Sequence, residues 1–111
     1  MDYKNFRCKV QFKNISQDDA CAGICDCLIR PFDNTTFINC TNKNLSKIPS
    51  LTSVENASKI ELYLQSNKLK ELPDMQQPGF NKVKLLDLSN NLITEFDEKI
   101  LNSSVKVKIY L

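Results

Sequence analysis

The amino-acid sequence predicts an α/β solenoid: short parallel strands on a concave face, irregular, 3-10 or helical segments behind them, and a cysteine-rich cap at the N-terminal end of the stack. Three observations predict it. One apolar register recurs at a spacing of 24 residues, with an asparagine in each full copy. Three cysteines crowd together just before the first copy and a fourth lies within it, and six Asn-x-Ser/Thr acceptors are spread over only 111 residues.

The register is read by laying LYLQSNKLKELP (62–73) over LDLSNNLITEF (86–96). Leu62, Leu64, Asn67, Leu69 and Leu72 then recur as Leu86, Leu88, Asn91, Ile93 and Phe96. The same step backwards reaches Ile38, Cys40, Leu45 and Ile48. This spacing, L-x-L-x-x-N-x-L, is the signature of a leucine-rich repeat, whose period runs to about 20–29 residues. Leu62 and Leu64 alternate as a short strand does, inward, while Tyr63 points out. Leu69 and Leu72 return to the same core after the chain turns. Asn67 and Asn91 stand at that turn, where the backbone loses its ladder partners, and a carboxamide carries donors and an acceptor to replace them. Stacked copies predict an asparagine ladder.

The first copy departs from the pattern. Lys43 stands where asparagine is expected, and Lys59 takes the leading apolar position that Val83 holds one repeat later. Terminal repeats are atypical because they cap the stack. At the far end, VKVKIYL alternates Val105, Val107, Ile109 and Leu111, which reads as the strand of a fourth repeat. No cysteine follows Cys40 to build a closing cap, so a homodimer through the open C-terminal strand is expected.

Composition narrows the function. A chain of 111 residues holds one core rather than two. With 41% hydrophobic residues, 25% charged residues and a net charge of +2, it has no basic arm to draw nucleic acid. No apolar run approaches the roughly 18 residues of a membrane span. MDYKNFRCKV lacks the apolar core of a signal peptide, so Met1 reads as a start placed on a piece of a longer chain. Histidine is absent, which removes the commonest general base and the commonest metal ligand. There is no glycine-rich phosphate loop, and Asp18, Asp19, Glu95, Asp97 and Glu98 read as solvated loop charges. No enzyme, cofactor or metal is expected. The acceptors are Asn14, Asn34, Asn39, Asn44, Asn56 and Asn102; beside five cysteines they point to the secretory pathway and to N-linked glycans.

Cys21, Cys25, Cys27 and Cys40 form a C-x3-C-x-C-x12-C pattern that admits two readings. They build a disulfide-bonded cap over the first repeat, or a four-thiolate zinc site in a reducing compartment. A C-x-C pair is tighter than the spacing usual for structural zinc, and the acceptors favour an oxidising compartment. Cys8 is left over, either unpaired or joined to another chain. The expected organisation is a remnant of a preceding segment at 1–20, the cap and first atypical repeat at 21–49, and repeats at 50–111, truncated before a C-terminal cap.

The run CDCLIRPFDNTTFINCTNKNLSKIP, followed by ELYLQSNKLKELP and PGFNKVKLLDLSNNLITEF, resembles the second, membrane-proximal leucine-rich repeat block of insect Toll receptors. The resemblance covers roughly residues 20–111 and includes Cys25, Cys27, Arg30, Pro31, Asp33, Asn39 and Cys40 in the family's order. It implies bridges from Cys21 to Cys27 and from Cys25 to Cys40, each worth on the order of 2–4 kcal/mol. It also implies a preceding cap that would supply a partner for Cys8, and a place in the ectodomain of a single-pass plasma-membrane receptor. For the whole receptor it implies a cystine-knot cytokine of the Spätzle type as ligand.

A repeat stack presents its outward strand residues in columns. Here the central column reads Asn39, Tyr63 and Asp87, flanked by Glu61, Gln65, Lys84 and Ser89. Tyr63 is the expected anchor, since tyrosine combines rigid apolar area with a polar tip. The expected function is an extracellular protein-interaction scaffold, a juxtamembrane part of a Toll-like receptor that spaces and associates receptor chains. The alternative is a free-standing secreted leucine-rich repeat protein of matrix or decoy type.

Overall fold

The computed structural model describes residues 17–94 and 107–111. One sheet runs in chain order through β1 (Asp26–Arg30), β2 (Thr35–Asn39), β3 (Lys59–Tyr63), β4 (Val83–Asp87) and β5 (Lys108–Tyr110). β1 and β2 form an antiparallel hairpin, and every later pairing is parallel. This arrangement follows from the repeat. Ile38 lies beside Leu62, Leu62 beside Leu86 and Leu86 beside Ile109, so the inward residues of successive copies form one continuous apolar column. Cys40, Leu64 and Leu88 extend that core just beyond the strands, and Leu69 joins it after the turn. Leu45, Ile48, Leu72 and Ile93 pack on its margin.

Several expectations require correction. The leading apolar position of the second copy belongs to Ile60, not Lys59. Ile60 is fully buried and pairs with Val83, Glu61 then pairs with Leu85, and Lys84 is the extra residue in a bulge between them. Ile60 and Leu62 are two apart and face inward together, but Val83 and Leu86 are three apart, so without that bulge the alternation would turn one of them away from the core. Asp19 is the second correction, because it is 1% exposed rather than a solvated loop charge. Its carboxylate accepts from the Cys21 N–H (2.9 Å), the Ser53 N–H (2.9 Å) and the Ser53 hydroxyl (2.6 Å). It ties the cap to the segment that leads into β3.

The side opposite the sheet carries single 3-10 turns, Thr52–Val54 and Phe80–Lys82, and no α-helix among the described residues. Each sends one apolar side chain, Val54 or Phe80, into the core. The turns after the strands share a left-handed residue, Asn42, Ser66 and Asn90, with φ of 56°, 58° and 58°. Asparagine tolerates that conformation and serine does so less well. Ser66 is exposed, and its carbonyl-directed N–H bond to Ser89 O (2.9 Å) needs only backbone. Ser66→Asn is therefore expected to stabilise the fold by about 0.5–1 kcal/mol in urea unfolding.

β5 continues the sheet as its fifth strand, in the place expected for the strand of a fourth repeat, with Ile109 and Val107 packed against the core. Leu111, expected to face inward with them, is 60% exposed. Cys8, Asn14, Glu95, Phe96, Asp97, Glu98, Asn102 and Val105 lie outside the described residues.

Candidate functional site

Strand register carries the outward residues into columns across the sheet. Asp26, Asn39, Tyr63, Asp87 and Tyr110 stand in one, and Leu28, Phe37, Glu61, Leu85 and Lys108 in the next. Asn39, Tyr63 and Asp87 are thus brought together on one face, with Glu61 beside them. Gln65 and Ser89 continue the face beyond the strands, where the Ser66 N–H reaches Ser89 O and the Thr41 hydroxyl reaches Gln65 Oε1 at 3.1 Å. Lys84 is displaced by the bulge, and Leu85 takes the place beside Glu61. Asp26 and Tyr110 complete the central column and were missed in the sequence. Tyr110 was legible there, one position after the inward Ile109 in an alternating run.

The Tyr63 hydroxyl donates to Glu61 Oε1 at 2.6 Å. That bond, then burial, then the negative charges of Glu61 and Asp87 push the phenol up from 10.0 to about 12. Tyr63 therefore presents a neutral, fixed ring at any physiological pH. Asp87 is oriented in its turn, accepting from the Ser89 N–H (3.0 Å) and the Ser89 hydroxyl (2.6 Å). The face is polar, aromatic and preorganised, which suits recognition of another protein surface.

Beneath the face runs the asparagine network that sets the strand ends. Asn67 Nδ2 donates to the carbonyls of Cys40 (2.8 Å), Leu64 (3.0 Å) and Gln65 (3.1 Å). Asn67 Oδ1 accepts from the Lys43 and Leu45 N–H groups, both at 3.0 Å. Asn91 repeats the pattern one step on, donating to Leu64, Leu88 and Ser89 carbonyls and accepting from the Leu69 N–H. Lys43 has no such side-chain role. It is served instead by Asn67 of the next copy.

The cap closes the other end. Cys21 is joined to Cys27, and Cys25 to Cys40. Sulfurs joined in this way have no thiolate to offer zinc. In the β1–β2 hairpin, Arg30 donates to both carboxylate oxygens of Asp33 (3.0 and 2.6 Å), and its guanidinium lies 4.9 Å from the Phe32 ring centre and 5.0 Å from that of Phe37. Phe32 itself is 82% exposed. The hydrogen bond from Arg30 holds the Asp33 carboxyl well below the usual carboxylate range. The fold thus favours the charged form, so the contribution of Asp33 is fully present above its unfolded pKa of about 3.9 and is lost as pH falls through and below that value. Asp33→Asn is expected to flatten the fall of the urea midpoint between about pH 5 and pH 2. Added salt should shrink the difference, because the two side chains are 36% and 32% exposed.

Asn34, Asn39, Asn44 and Asn56 are all exposed. Asn34 adopts φ 53° and donates through Nδ2 to Asn56 O and Ser58 Oγ, both at 3.3 Å. Among the described residues no helix is long and apolar enough to cross a membrane.

No family model matches the chain. It is 33% identical over 91 residues to Protein toll of Drosophila melanogaster, an alignment that takes in 81% of this chain and 8% of that protein. Two solved structures of the Toll–Spätzle complex, described as a molecular hub in Drosophila development and innate immunity, are similar in fold. One superposes with a TM-score of 0.58 at 35% identity over 67% of this chain and 10% of the other. The second, a glycosylated form, gives 0.59 at 30% identity over 78% of this chain and 11% of the other. The chain thus spans about a tenth of the length of what it matches. Homology to Toll and two bridged cysteine pairs fit an extracellular location. At 33% identity over 81% of its length, and with the same fold over most of it, the chain belongs to the Toll receptors, as a cysteine-capped leucine-rich-repeat part of their ectodomain.

Proposed function

We propose that the chain is an extracellular protein-interaction scaffold, a membrane-proximal solenoid block in the ectodomain of a single-pass Toll-type receptor, which spaces receptor chains and helps bring them together. On this reading residues 21–49 close the stack, residues 50–111 carry the repeats, and residues 1–20 join the block to what precedes it. The observation that carries it is the resemblance to Toll over most of the chain, cap included. The central column supports it, because Tyr63, held between Glu61 and Asp87, presents an ordered aromatic side chain outward that the core does not need. A non-catalytic role is consistent with this set of groups, and the protein ligand of the whole receptor is proposed to be a Spätzle-type cytokine. A second copy pairing along β5 is a further route to association, and N-linked glycans on the exposed acceptors complete the proposal.

The test places Tyr63→Ala with Asp87→Ala in the full-length receptor that carries this block. Co-precipitation of two differently tagged copies and ligand-driven reporter output are read at matched surface expression. A severalfold fall in association supports the proposal. Unchanged association and unchanged output overturn it.

A further inference from the structure

The Asn39 acceptor differs from the other described ones in what its middle residue does. In Asn39-Cys40-Thr41 that residue is Cys40, fully buried and bridged to Cys25, which lies 15 residues upstream. The middle residues of the other described acceptors are Thr35, Leu45 and Ala57, none of them covalently held. We infer that glycan attachment at Asn39 and closure of the Cys25–Cys40 bridge are competing fates of the same short segment, so that the oxidised protein leaves Asn39 bare.

The competition is set by order of synthesis. Both cysteines exist as soon as Cys40 is made, and bridge closure takes seconds when an oxidant and an isomerase are at hand. A disulfide donor accepts two electrons and two protons from the thiols: Cys25 and Cys40 form one S–S bond, and the donor leaves as two thiols. Glycan transfer instead forms a bond from Asn39 Nδ2 to the anomeric carbon of a lipid-pyrophosphate-linked oligosaccharide. The C–O bond to the pyrophosphate breaks and one Nδ2 proton is lost. That reaction needs the tripeptide accessible and its threonine hydroxyl unengaged.

The fold then locks the segment a second time. The Thr41 N–H donates to Asn39 Oδ1 at 3.0 Å, the Cys40 N–H to Tyr63 O at 2.7 Å, and the Thr41 hydroxyl to Gln65 Oε1 at 3.1 Å. Gln65 is made 24 residues after Thr41, on the order of 1–5 s later. The bridge is therefore the earlier lock. Asn39 itself stays exposed beside Tyr63, so a glycan attached before closure remains compatible with the sheet and lies over the central column. That such a glycan would shut an interface rests on the proposed function above; the occupancy rule does not, and the two fail separately.

The experiment expresses the full chain behind a secretory leader in insect cells and measures occupancy at each acceptor by glycopeptide mass spectrometry. It compares untreated cells, cells pulsed with dithiothreitol during synthesis, and the Cys25→Ser variant. Occupancy is read on intracellular protein, so a variant that folds poorly still reports. Low occupancy at Asn39, rising severalfold with reductant and in Cys25→Ser while Asn34, Asn44 and Asn56 hold steady, is the expected result. High occupancy at Asn39 in molecules whose Cys25–Cys40 bridge is closed overturns it. So does a rise shared equally by all acceptors, or no rise in either arm.

Discussion

Asn67→Ala is expected to lower the free energy of unfolding by about 3–5 kcal/mol, because one side chain satisfies five backbone groups and each buried group left unpaired costs about 1–3 kcal/mol. The alanine cavity is narrow, and water entering from the turn relieves part of that sum. The residue is 7% exposed, it accepts from Lys43 and Leu45 of the preceding copy, and it donates to Cys40, Leu64 and Gln65. Asn91→Ala provides an internal comparison. Asn91 is half-exposed and accepts from only the Leu69 N–H, so its loss should cost about 1–3 kcal/mol. Urea unfolding of both variants at pH 7 checks the order. Equal losses would mean that the carboxamides act as ordinary turn residues and that their position in the stack is irrelevant.

Gly79→Ala should be as damaging for a different reason. Gly79 has φ 89°, and a Cβ there would meet Leu51 O at 2.6 Å and Leu51 Cβ at 2.8 Å. The left-handed backbone costs an alanine about 1–2 kcal/mol, and forcing apart packed backbone adds about 1–3 kcal/mol. A total near 2–5 kcal/mol follows, read as a fall in urea midpoint. The adjacent Phe80 is fully buried, so the chain cannot relieve the contact by swinging the 3-10 turn outward. Gly23 is the control: its φ is also left-handed, 101°, but no atom beyond its chain neighbours and the backbone of its own turn lies within 4 Å of its Cβ position. Gly23→Ala should show only the backbone part, about 1–2 kcal/mol. If the two alanines cost the same, the approach to Leu51 carries no energy.

The central column shows how far the sequence could be read. Asn39, Tyr63 and Asp87 were identifiable because a step of 24 residues links them, and the strands do bring them side by side. Asp26 joins the column through an antiparallel hairpin that does not share the repeat period, so no spacing revealed it. Lys84 was misplaced for a related reason, since a bulge shifts the count by one without marking the sequence. Asp19 looked like any acidic loop residue; only the approach of Ser53, 34 positions away, makes it a buried acceptor.

The sequence by itself determined the local matters: which residues turn inward, where an asparagine must replace lost backbone partners, and that the cysteines gather at one end. Those follow from periodicity and from the needs of the backbone, which neighbouring residues express directly. The tertiary structure decided where the register slips, that Ile60 rather than Lys59 meets the core, that Tyr63 is pinned by Glu61, and that Gly79 must lie against Leu51. The register slip, the burial of Ile60 and the approach of Gly79 to Leu51 depend on what residues about one repeat apart do when stacked, and the Tyr63–Glu61 bond on which side-chain conformers the shared face leaves open; packing between copies is not written in either copy alone.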